Sequence, residues 1–193
     1  MTTPSRIIVH EDENMVETME RYVRRSGLST EPDRIFIHGC NCQGVMGSGI
    51  ARQIRIAFPG VYDAYTSFIK RALSNIRQVH PNISTDDARR HLLGKVSFVK
   101  ISPKVYVANC FTQFNYGRRT DYQYLDMDAL ESCLEHVNRH PAAKGGVHFP
   151  SIGAGLAGGD WSLIVKLIQE SFPITVPLHH YLYQLPTRSD VDL

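Results

Sequence analysis

The chain carries two glycine-rich turns, which read IFIHGCNCQGVMGSGIA at residues 35–51 and VHFPSIGAGLAGGDW at residues 147–161. Each turn follows a strand-like apolar run and precedes a helical pattern. In that context, backbone N–H groups and a helix N-terminus point at an anion, which is usually a phosphate. One such turn is a weak signal. Two of them indicate a ligand whose diphosphate is held between the turns.

The composition is typical of an ordinary soluble globular protein. The chain has 193 residues, of which 42% are hydrophobic and 21% are charged, and this length suits one domain with a substantial core. A net charge of +2, with Lys and Arg scattered along the chain, does not favour nucleic-acid binding. The N-terminus lacks the pattern of a signal peptide, and no stretch reaches the roughly 20 apolar residues of a membrane helix. We therefore expect a cytoplasmic or nuclear protein with no membrane partner.

Strand-like and helix-like patterns largely alternate, which predicts an α/β protein with a mixed sheet covered on both faces. The predicted strands are 6–9, 34–38, 94–101, 104–110, 147–149 and 174–185. The predicted helices are 15–25, 48–58, 61–73, 126–138 and 161–171, the last of them capped by Asp160. The polar segment 75–90, which contains Pro81, is interpreted as a mobile surface insertion, and 187–193 as a loose tail.

The second turn also matches a dinucleotide-binding pattern, but its context excludes that function. Gly153, Gly155 and Gly158 give the letters G-x-G-x-x-G. A Rossmann domain needs an acidic residue roughly 20 positions further on to hold the ribose, and the strand predicted there contains no Asp or Glu. A triphosphate-binding loop is not favoured either, because neither turn is followed by Gly-Lys-Ser/Thr.

The four cysteines are interpreted as reduced thiols, because a disulfide framework is not expected in a chain of this length without an export signal. Cys40 and Cys42 supply only two of the four ligands that a structural zinc normally needs. The Cys-x5-Arg loop of cysteine phosphatases is absent, because Ser48 stands after Cys42 where that pattern requires Arg. Both thiols are therefore predicted to be packing residues, and we expect no metal and no cofactor.

Taken together, the two turns resemble the macro domain, the ADP-ribose-binding module. Members of that family carry an Asn at a strand end, then Gly-x-Gly opening a helix, and much later Ile-Gly-x-Gly-Leu. Here these are Asn41, residues 47–49 and residues 152–156. The resemblance covers roughly 34–185 and implies a three-layer α/β/α sandwich. Within the family, the His-Gly-Cys-Asn-Cys run at 38–42 is similar to that of the fungal-type ADP-ribose 1″-phosphate phosphatases.

The resemblance implies a ligand-binding role for both turns and for two further positions. Asn41 would hold the distal ribose, and Tyr183 would contact the adenine. The family's Gly-Asp-Ile segment is replaced by His-Glu-Asp-Glu at 10–13, where Asp12 would take the role of the adenine-binding Asp. The full set of expected ligand-binding residues is Asp12, Cys40, Asn41, Gly47, Ser48, Gly49, Ile50, Ser151, Ile152, Gly153, Ala154, Gly155, Leu156 and Tyr183.

Three residues are candidates for catalysis, and each also has a purely structural interpretation. His38 would serve as general acid to the departing ribose oxygen, or it would pack under the loop. Asn41 would orient the ribose or a water, or it would stabilise the turn. Asp160 would activate a water, although a helix N-cap is its simpler role. The segment 114–119 would close over the distal end of the ligand, with Arg118 or Arg119 contacting phosphate, or it would be a solvated surface turn.

Macro domains that cleave ADP-ribose from glutamate or from thymine place a catalytic lysine after a Thr, where this chain has Thr112-Gln113. An amide is not a covalent amine nucleophile, so this difference disfavours the lysine-dependent hydrolases. We expect a phosphatase that converts ADP-ribose 1″-phosphate to ADP-ribose and phosphate. The alternatives are a non-catalytic reader of free or protein-linked ADP-ribose, and a de-ADP-ribosylating hydrolase that works without the lysine. The expected partner is therefore a small-molecule ligand or an ADP-ribosylated protein.

Overall fold

A computed structural model describes residues 6–27, 30–117 and 122–182, in which strands and helices alternate along the chain. The strands are β1 (Ile7–His10), β2 (Arg34–Asn41), β3 (Val96–Ser102), β4 (Val105–Gln113), β5 (Val147–Pro150) and β6 (Leu178–Tyr181). The helices are α1 (Met15–Arg25), α2 (Gly49–Ala57), α3 (Pro59–Val79), α4 (Thr85–Arg90), α5 (Met127–Arg139) and α6 (Trp161–Ser171). A short 3₁₀ helix (Pro141–Gly145) leads into β5.

The strands of the described residues form one sheet in the order β1-β6-β5-β2-β4-β3. Neighbouring strands are parallel except at one edge, where β3 runs antiparallel to β4. This arrangement confirms the predicted mixed sheet. Because the carboxyl ends of parallel strands meet at one edge, the two glycine-rich turns, which follow β2 and β5, lie side by side.

Helices cover both faces of the sheet. Ile35 and Ile37 of β2 pack on one face, in a core that includes buried residues of α5 and α6. Phe36 points to the other face, where the core contains Met15 and Met19 of α1. An interior strand buried on both faces explains why β2 is apolar almost without alternation. Among the helices that the structure describes, none combines the length and apolar character needed to cross a bilayer.

Capping side chains explain why α1 and α6 have the predicted bounds. The Asn14 side chain accepts a hydrogen bond from the Val16 N–H at 2.8 Å, and the Asp160 side chain accepts one from the Ser162 N–H at 2.8 Å. Such caps satisfy N–H groups that have no partner within the helix. The predicted capping role of Asp160 is therefore confirmed.

The segment 75–90, interpreted as a mobile surface insertion, is mostly helical and mostly exposed. Helix α3 continues to Val79, and Ser84 caps the additional helix α4 by accepting from the Asp87 N–H at 3.0 Å. Ala88 of α4 is buried. Arg89 donates to the Gln43 side chain at 2.8 Å, which ties α4 to the first glycine-rich turn. Tertiary contacts of this kind leave little trace in a polar sequence.

Several strand bounds also differ from the prediction, and β4, for example, ends at Gln113 rather than at residue 110. β2 extends to Asn41 rather than ending at His38, so the first turn begins later than expected. The last strand was predicted over 174–185, but β6 begins only at Leu178. Ile174 is 85% exposed, and Pro177 has no N–H to donate to a neighbouring strand. The predicted tail at 187–193 lies outside the described residues.

Candidate functional site

A cleft of about 1000 Å³ opens at the carboxyl edge of the sheet, between the two glycine-rich turns. Both turns line it, as do the start of α1 and the ends of β4 and β6. From the predicted ligand-binding set, the cleft brings together Asn41, Gly47, Ser48, Gly49, Ile50, Ser151, Ile152, Gly153, Gly155 and Leu156. The volume is that of a pocket for a cofactor-sized molecule.

Asn41 builds the first turn and also lines the cleft. Its side-chain oxygen accepts hydrogen bonds from the N–H groups of Gln43 at 3.0 Å and Val45 at 3.2 Å. Its amide nitrogen donates to the Val45 carbonyl at 2.7 Å. The buried Tyr65 hydroxyl donates to the Asn41 carbonyl at 2.5 Å. These bonds hold the turn in one shape, so the turn-stabilising role of Asn41 is present in the structure.

The N-terminus of α2 opens into the cleft without a cap. Ser48 occupies the N-cap position but makes no side-chain cap hydrogen bond, and the first turn contains no acidic residue. Gly47, Ser48 and Gly49 are exposed and line the cleft. The first N–H groups of a helix have no partner within the helix, and the helix dipole makes this end positive. This end of α2 is therefore suited to an anion.

The second turn is shaped by close packing of its glycines. Gly153 has a φ of +76°, and its carbonyl accepts from the Gly159 N–H at 2.8 Å. A Cβ at Gly159 would lie 2.4 Å from the Leu125 side chain, so this position admits only glycine without rearrangement. At Gly155, by contrast, a Cβ would meet nothing within 4 Å. The turn is packed at its base and open where it borders the cleft.

In the second turn, the Ser151 side chain is hydrogen-bonded to a histidine. Its hydroxyl lies 3.0 Å from Nε2 of His180, which is next to the last residue of β6. The His180 ring is 4% exposed and stacks against Phe149 at 5.5 Å and Trp161 at 4.5 Å. Burial lowers the pKa of His180 to about 4, so the ring is neutral near pH 7.

His38 lies away from the cleft, which corrects the expectation that it acts as general acid. The ring is completely buried, and its Nε2 lies 2.7 Å from the Asn109 side-chain oxygen. Burial lowers the pKa of His38 to about 4. Because β2 is covered on both faces, a side chain three residues before its end is enclosed by the sheet and its helices. His38 packs under the first turn, as its alternative interpretation stated.

Several other predicted site residues also lie outside the cleft lining. Asp160 is exposed at the start of α6, where Ser162 donates to it at 2.7 Å from its hydroxyl and lowers the pKa of the Asp160 carboxyl. Asp12 is exposed beyond β1, and neither Cys40 nor Ala154 reaches the cleft surface. Tyr183, Arg118 and Arg119 lie outside the described residues.

The cysteine side chains are buried packing groups. All four are free and buried. Burial raises the pKa of Cys42 to about 12 and raises the pKa of Cys40 well above its ordinary value. A thiol in this state is neither a nucleophile nor a metal ligand. Within the described ranges, no group of His, Cys, Asp or Glu side chains is placed to hold a metal ion.

Sequence reasoning missed several residues that line the cleft, among them Asn14, Met15, Gln53, Tyr116 and Tyr181. A signal for two of them existed. Residues directly after β1 must lie at the carboxyl edge of the sheet, which is where Asn14 begins α1. Tyr181 ends β6 and pairs in register with Pro150, the last residue of β5.

Gln113 lies in the cleft wall at the end of β4. Its side-chain nitrogen donates to the Asn115 carbonyl at 2.8 Å, which steadies the following loop. Gln113 therefore lies in the cleft at the position where the lysine-dependent hydrolases are expected to carry their catalytic lysine.

Among the described residues that line the cleft there is no Asp, Glu, His, Lys or Arg. The polar groups of this lining are backbone amides, the side chains of Asn and Gln, and the hydroxyls of Ser and Tyr. A ligand anion is therefore met by neutral donors and a helix terminus rather than by a side-chain cation.

Comparison with known proteins gives both a family and a fold. The family model "Macro domain" matches residues 37–168. An ADP-ribose 1″-phosphate phosphatase from Debaryomyces hansenii is 31% identical over 155 residues, covering 70% of this chain and 82% of that protein. An uncharacterised 17.5 kDa protein of Enterobacteria phage T4 is 30% identical over 137 residues, covering 68% and 75%. A macrodomain protein from Streptomyces coelicolor superposes with a TM-score of 0.61 at 24% identity, covering 92% of this chain and 100% of that one.

Proposed function

The chain belongs to the macro domain family, and from that premise we propose that it binds ADP-ribose 1″-phosphate and hydrolyses its terminal phosphate. The products are ADP-ribose and inorganic phosphate. Relatives of this chain that carry the name ADP-ribose 1″-phosphate phosphatase support this choice of substrate. The observation that carries the proposal is the uncapped N-terminus of α2, which lines the same cleft as the second turn.

The diphosphate is assigned to the space between the two turns. The α2 N-terminus offers N–H donors and a positive dipole end to one side of the diphosphate. Gly155 leaves open space on the other side, since a Cβ there would touch nothing. The lack of acidic side chains in the described lining means that the four or so negative charges of this ligand meet no repulsion.

The adenine is assigned to the end of the cleft formed by α1 and β6. Met15, Tyr181 and Leu182 provide apolar surface there. Asn14 donates to the Gln53 side chain at 3.1 Å, and these two amides supply the polar groups beside that surface. We propose that Asn14 and Tyr181 take the roles first expected of Asp12 and Tyr183. Asn41, which builds the first turn and lines the cleft, is assigned to the distal ribose.

A non-catalytic reader of ADP-ribose is the second candidate. One observation favours it: the described cleft lining has no ionisable acid or base, and both His38 and Asp160 lie outside the lining. Binding without turnover needs only the neutral donors that are present. The third candidate, a hydrolase of protein-linked ADP-ribose without the lysine, has no feature in the described cleft that favours it over these two.

The test measures binding and phosphate release on the same full-length preparation. We expect isothermal titration to detect ADP-ribose binding, and a phosphate assay to detect release from ADP-ribose 1″-phosphate but not from AMP. ADP-ribose binding without phosphate release would leave the reader as the function. Release of ADP-ribose from a glutamate-linked peptide at a rate above that of phosphate release would favour the hydrolase instead.

A further inference from the structure

We propose that Ser151 and His180 form a catalytic pair, in which Ser151 is the nucleophile that accepts the terminal phosphoryl group of the substrate. This inference rests on the proposed phosphatase function. It identifies a nucleophile and a base in a cleft whose own described lining offers no ionisable acid or base.

The geometry of the pair is that of an activated hydroxyl. Ser151 lines the cleft at the start of the second turn, and its oxygen lies 3.0 Å from Nε2 of His180. A nucleophile within hydrogen-bond reach of a base is the usual signature of nucleophilic catalysis. Ser151 is in the described cleft lining and His180 is not, so Ser151 is the member of the pair that borders the cleft.

The surroundings of His180 fix both its orientation and its protonation. Its ring is held between Phe149 and Trp161, whose ring centroids lie 5.5 Å and 4.5 Å away. Burial keeps the resting ring neutral, so Nε2 accepts the hydrogen bond of the Ser151 hydroxyl when Nδ1 carries the ring hydrogen.

The anion site completes the arrangement. Attack on a phosphate monoester requires neutralisation of the charge on its other oxygens. The uncapped α2 N-terminus lines the same cleft as Ser151 and supplies positive potential to it without a cation.

The reaction proceeds in two balanced steps. The Ser151 oxygen attacks phosphorus, its proton passes to Nε2 of His180, and the bond from phosphorus to the ribose oxygen breaks. The ribose oxygen, which leaves on the side of phosphorus opposite Ser151, takes a proton from solvent and departs as ADP-ribose. In the second step, a water on that opposite side attacks phosphorus and releases a proton to solvent, while the serine oxygen departs and takes back the proton held by His180. One water is consumed and one inorganic phosphate is released.

The first experiment tests the nucleophile without the substrate. The full chain is treated with diisopropyl fluorophosphate, and the modified residue is mapped by mass spectrometry. We expect labelling of Ser151 and protection by ADP-ribose. Ser162 is the internal control, because its hydroxyl also has a hydrogen-bond partner, Asp160, yet lies outside the cleft. In His180→Phe, which retains a ring between Phe149 and Trp161 but removes the base, labelling should slow by at least about tenfold.

The second experiment tests the same pair in turnover. In Ser151→Ala, phosphate release should fall by about 100-fold or more, while the ADP-ribose Kd stays within about threefold of the wild-type value. Ser162→Ala should retain the wild-type rate. Acid quenching during turnover should yield phosphoserine at position 151 of the wild-type chain.

The outcomes separate this inference from the proposed function. Labelling of Ser151 with no phosphate release by the wild-type chain would refute the phosphatase and leave the activated serine in place. The pair is overturned if Ser151 is unlabelled in the wild-type chain. It is also overturned if His180→Phe is labelled at an unchanged rate, or if Ser151→Ala keeps its phosphate release.

Discussion

The two glycine-rich turns lead into helices whose N-termini are used in different ways. At α2, Ser48 makes no cap bond and the first turn has no acidic residue. At α6, the Asp160 carboxylate already accepts the Ser162 N–H. A carboxylate satisfies the helix end and repels a second anion, so of these two helix N-termini the one at α2 is suited to an anion. The turn with the more familiar letters, G-x-G-x-x-G, is therefore the one whose helix N-terminus is already capped by a side chain.

The difference extends to how the turns are held. The first turn is built by hydrogen bonds from Asn41 and braced from α4 by Arg89. The second is built by packing, with Gly159 pressed against Leu125. Hydrogen bonds define the first turn and close contacts define the second. Substitutions in the two turns are therefore expected to disrupt them for different reasons.

The largest effect should come from filling the open part of the second turn. Gly155→Glu places bulk and a negative charge where the diphosphate is assigned, so the ADP-ribose Kd should rise by at least about 1000-fold, or about 4 kcal/mol. The melting temperature should stay unchanged, since a Cβ at Gly155 meets no neighbour. Gly60→Glu is the matched control, because that position is also open and lies outside the cleft lining. Retained binding in Gly155→Glu would remove the second turn from the ligand site.

The next effect concerns the strand beneath the first turn. His38 takes up a proton in the unfolded chain near pH 6.5 but in the folded chain only near pH 4. The unfolded state therefore binds more protons in this window, and folding stability falls as the pH drops from about 6.5 to about 4, by about 3 kcal/mol for His38.

Urea unfolding at pH 7 and pH 4.5 measures this loss. His38→Gln should reduce it, whereas His91→Gln, at an exposed position, should leave it as in the wild-type chain. If the His38 variant instead kept the wild-type pH dependence and lost phosphate release, His38 would belong to the chemistry and not to the support of the first turn.

A smaller effect is expected from removing the hydrogen bonds of the first turn. Asn41→Ala deprives the N–H groups of Gln43 and Val45 of their acceptor, so stability should fall by about 2 kcal/mol and ADP-ribose affinity by about 30-fold. Chemical denaturation and calorimetry measure the two changes. Asn75→Ala, on the exposed surface of α3, should change neither. An unaltered affinity in the Asn41 variant would show that the shape of this turn is irrelevant to the ligand.

The smallest effect tests the capped helix. Asp160→Ala should lower the melting temperature by about 2 °C, and Asp160→Asn should restore it because Asn also caps helices. Phosphate release should match the wild-type rate in both variants. A stable Asp160→Asn protein with a tenfold lower rate would mean that the carboxylate acts in catalysis and that the two helix ends are more alike than the structure indicates.

Local signals explain what the sequence predicted of the fold. The bounds of α1 and α6 follow from apolar spacing together with Asn14 and Asp160, which act within one helical turn. Helix α4 was missed because its stability depends on burial of Ala88 and on the bond from Arg89 to Gln43, which is distant in sequence. The start of β6 was placed too early because Ile174 is apolar and yet lies on the surface.

The candidate site shows the same division between local features, which the sequence predicts, and contacts distant in sequence, which it does not. Both turns were found because glycine spacing is local, and the structure brings them to one cleft. His38 was assigned to chemistry because a strand covered on both faces cannot be recognised from the residue itself. The Ser151–His180 contact joins β5 to β6 across 29 residues of sequence, and no spacing rule relates the two. Contacts between strands depend on register, which becomes available only with the sheet.

The absence of charged side chains from the described cleft lining has a consequence for how such a site changes over evolutionary time. Recognition rests on the course of the main chain, and the main chain is common to all residue types. Most replacements around the cleft would leave the N–H groups pointing in the same directions, provided that the few tightly packed glycines remain. Related chains would then share the course of the main chain more than the identity of individual residues. Distant sequences are then able to keep one ligand while their visible similarity fades.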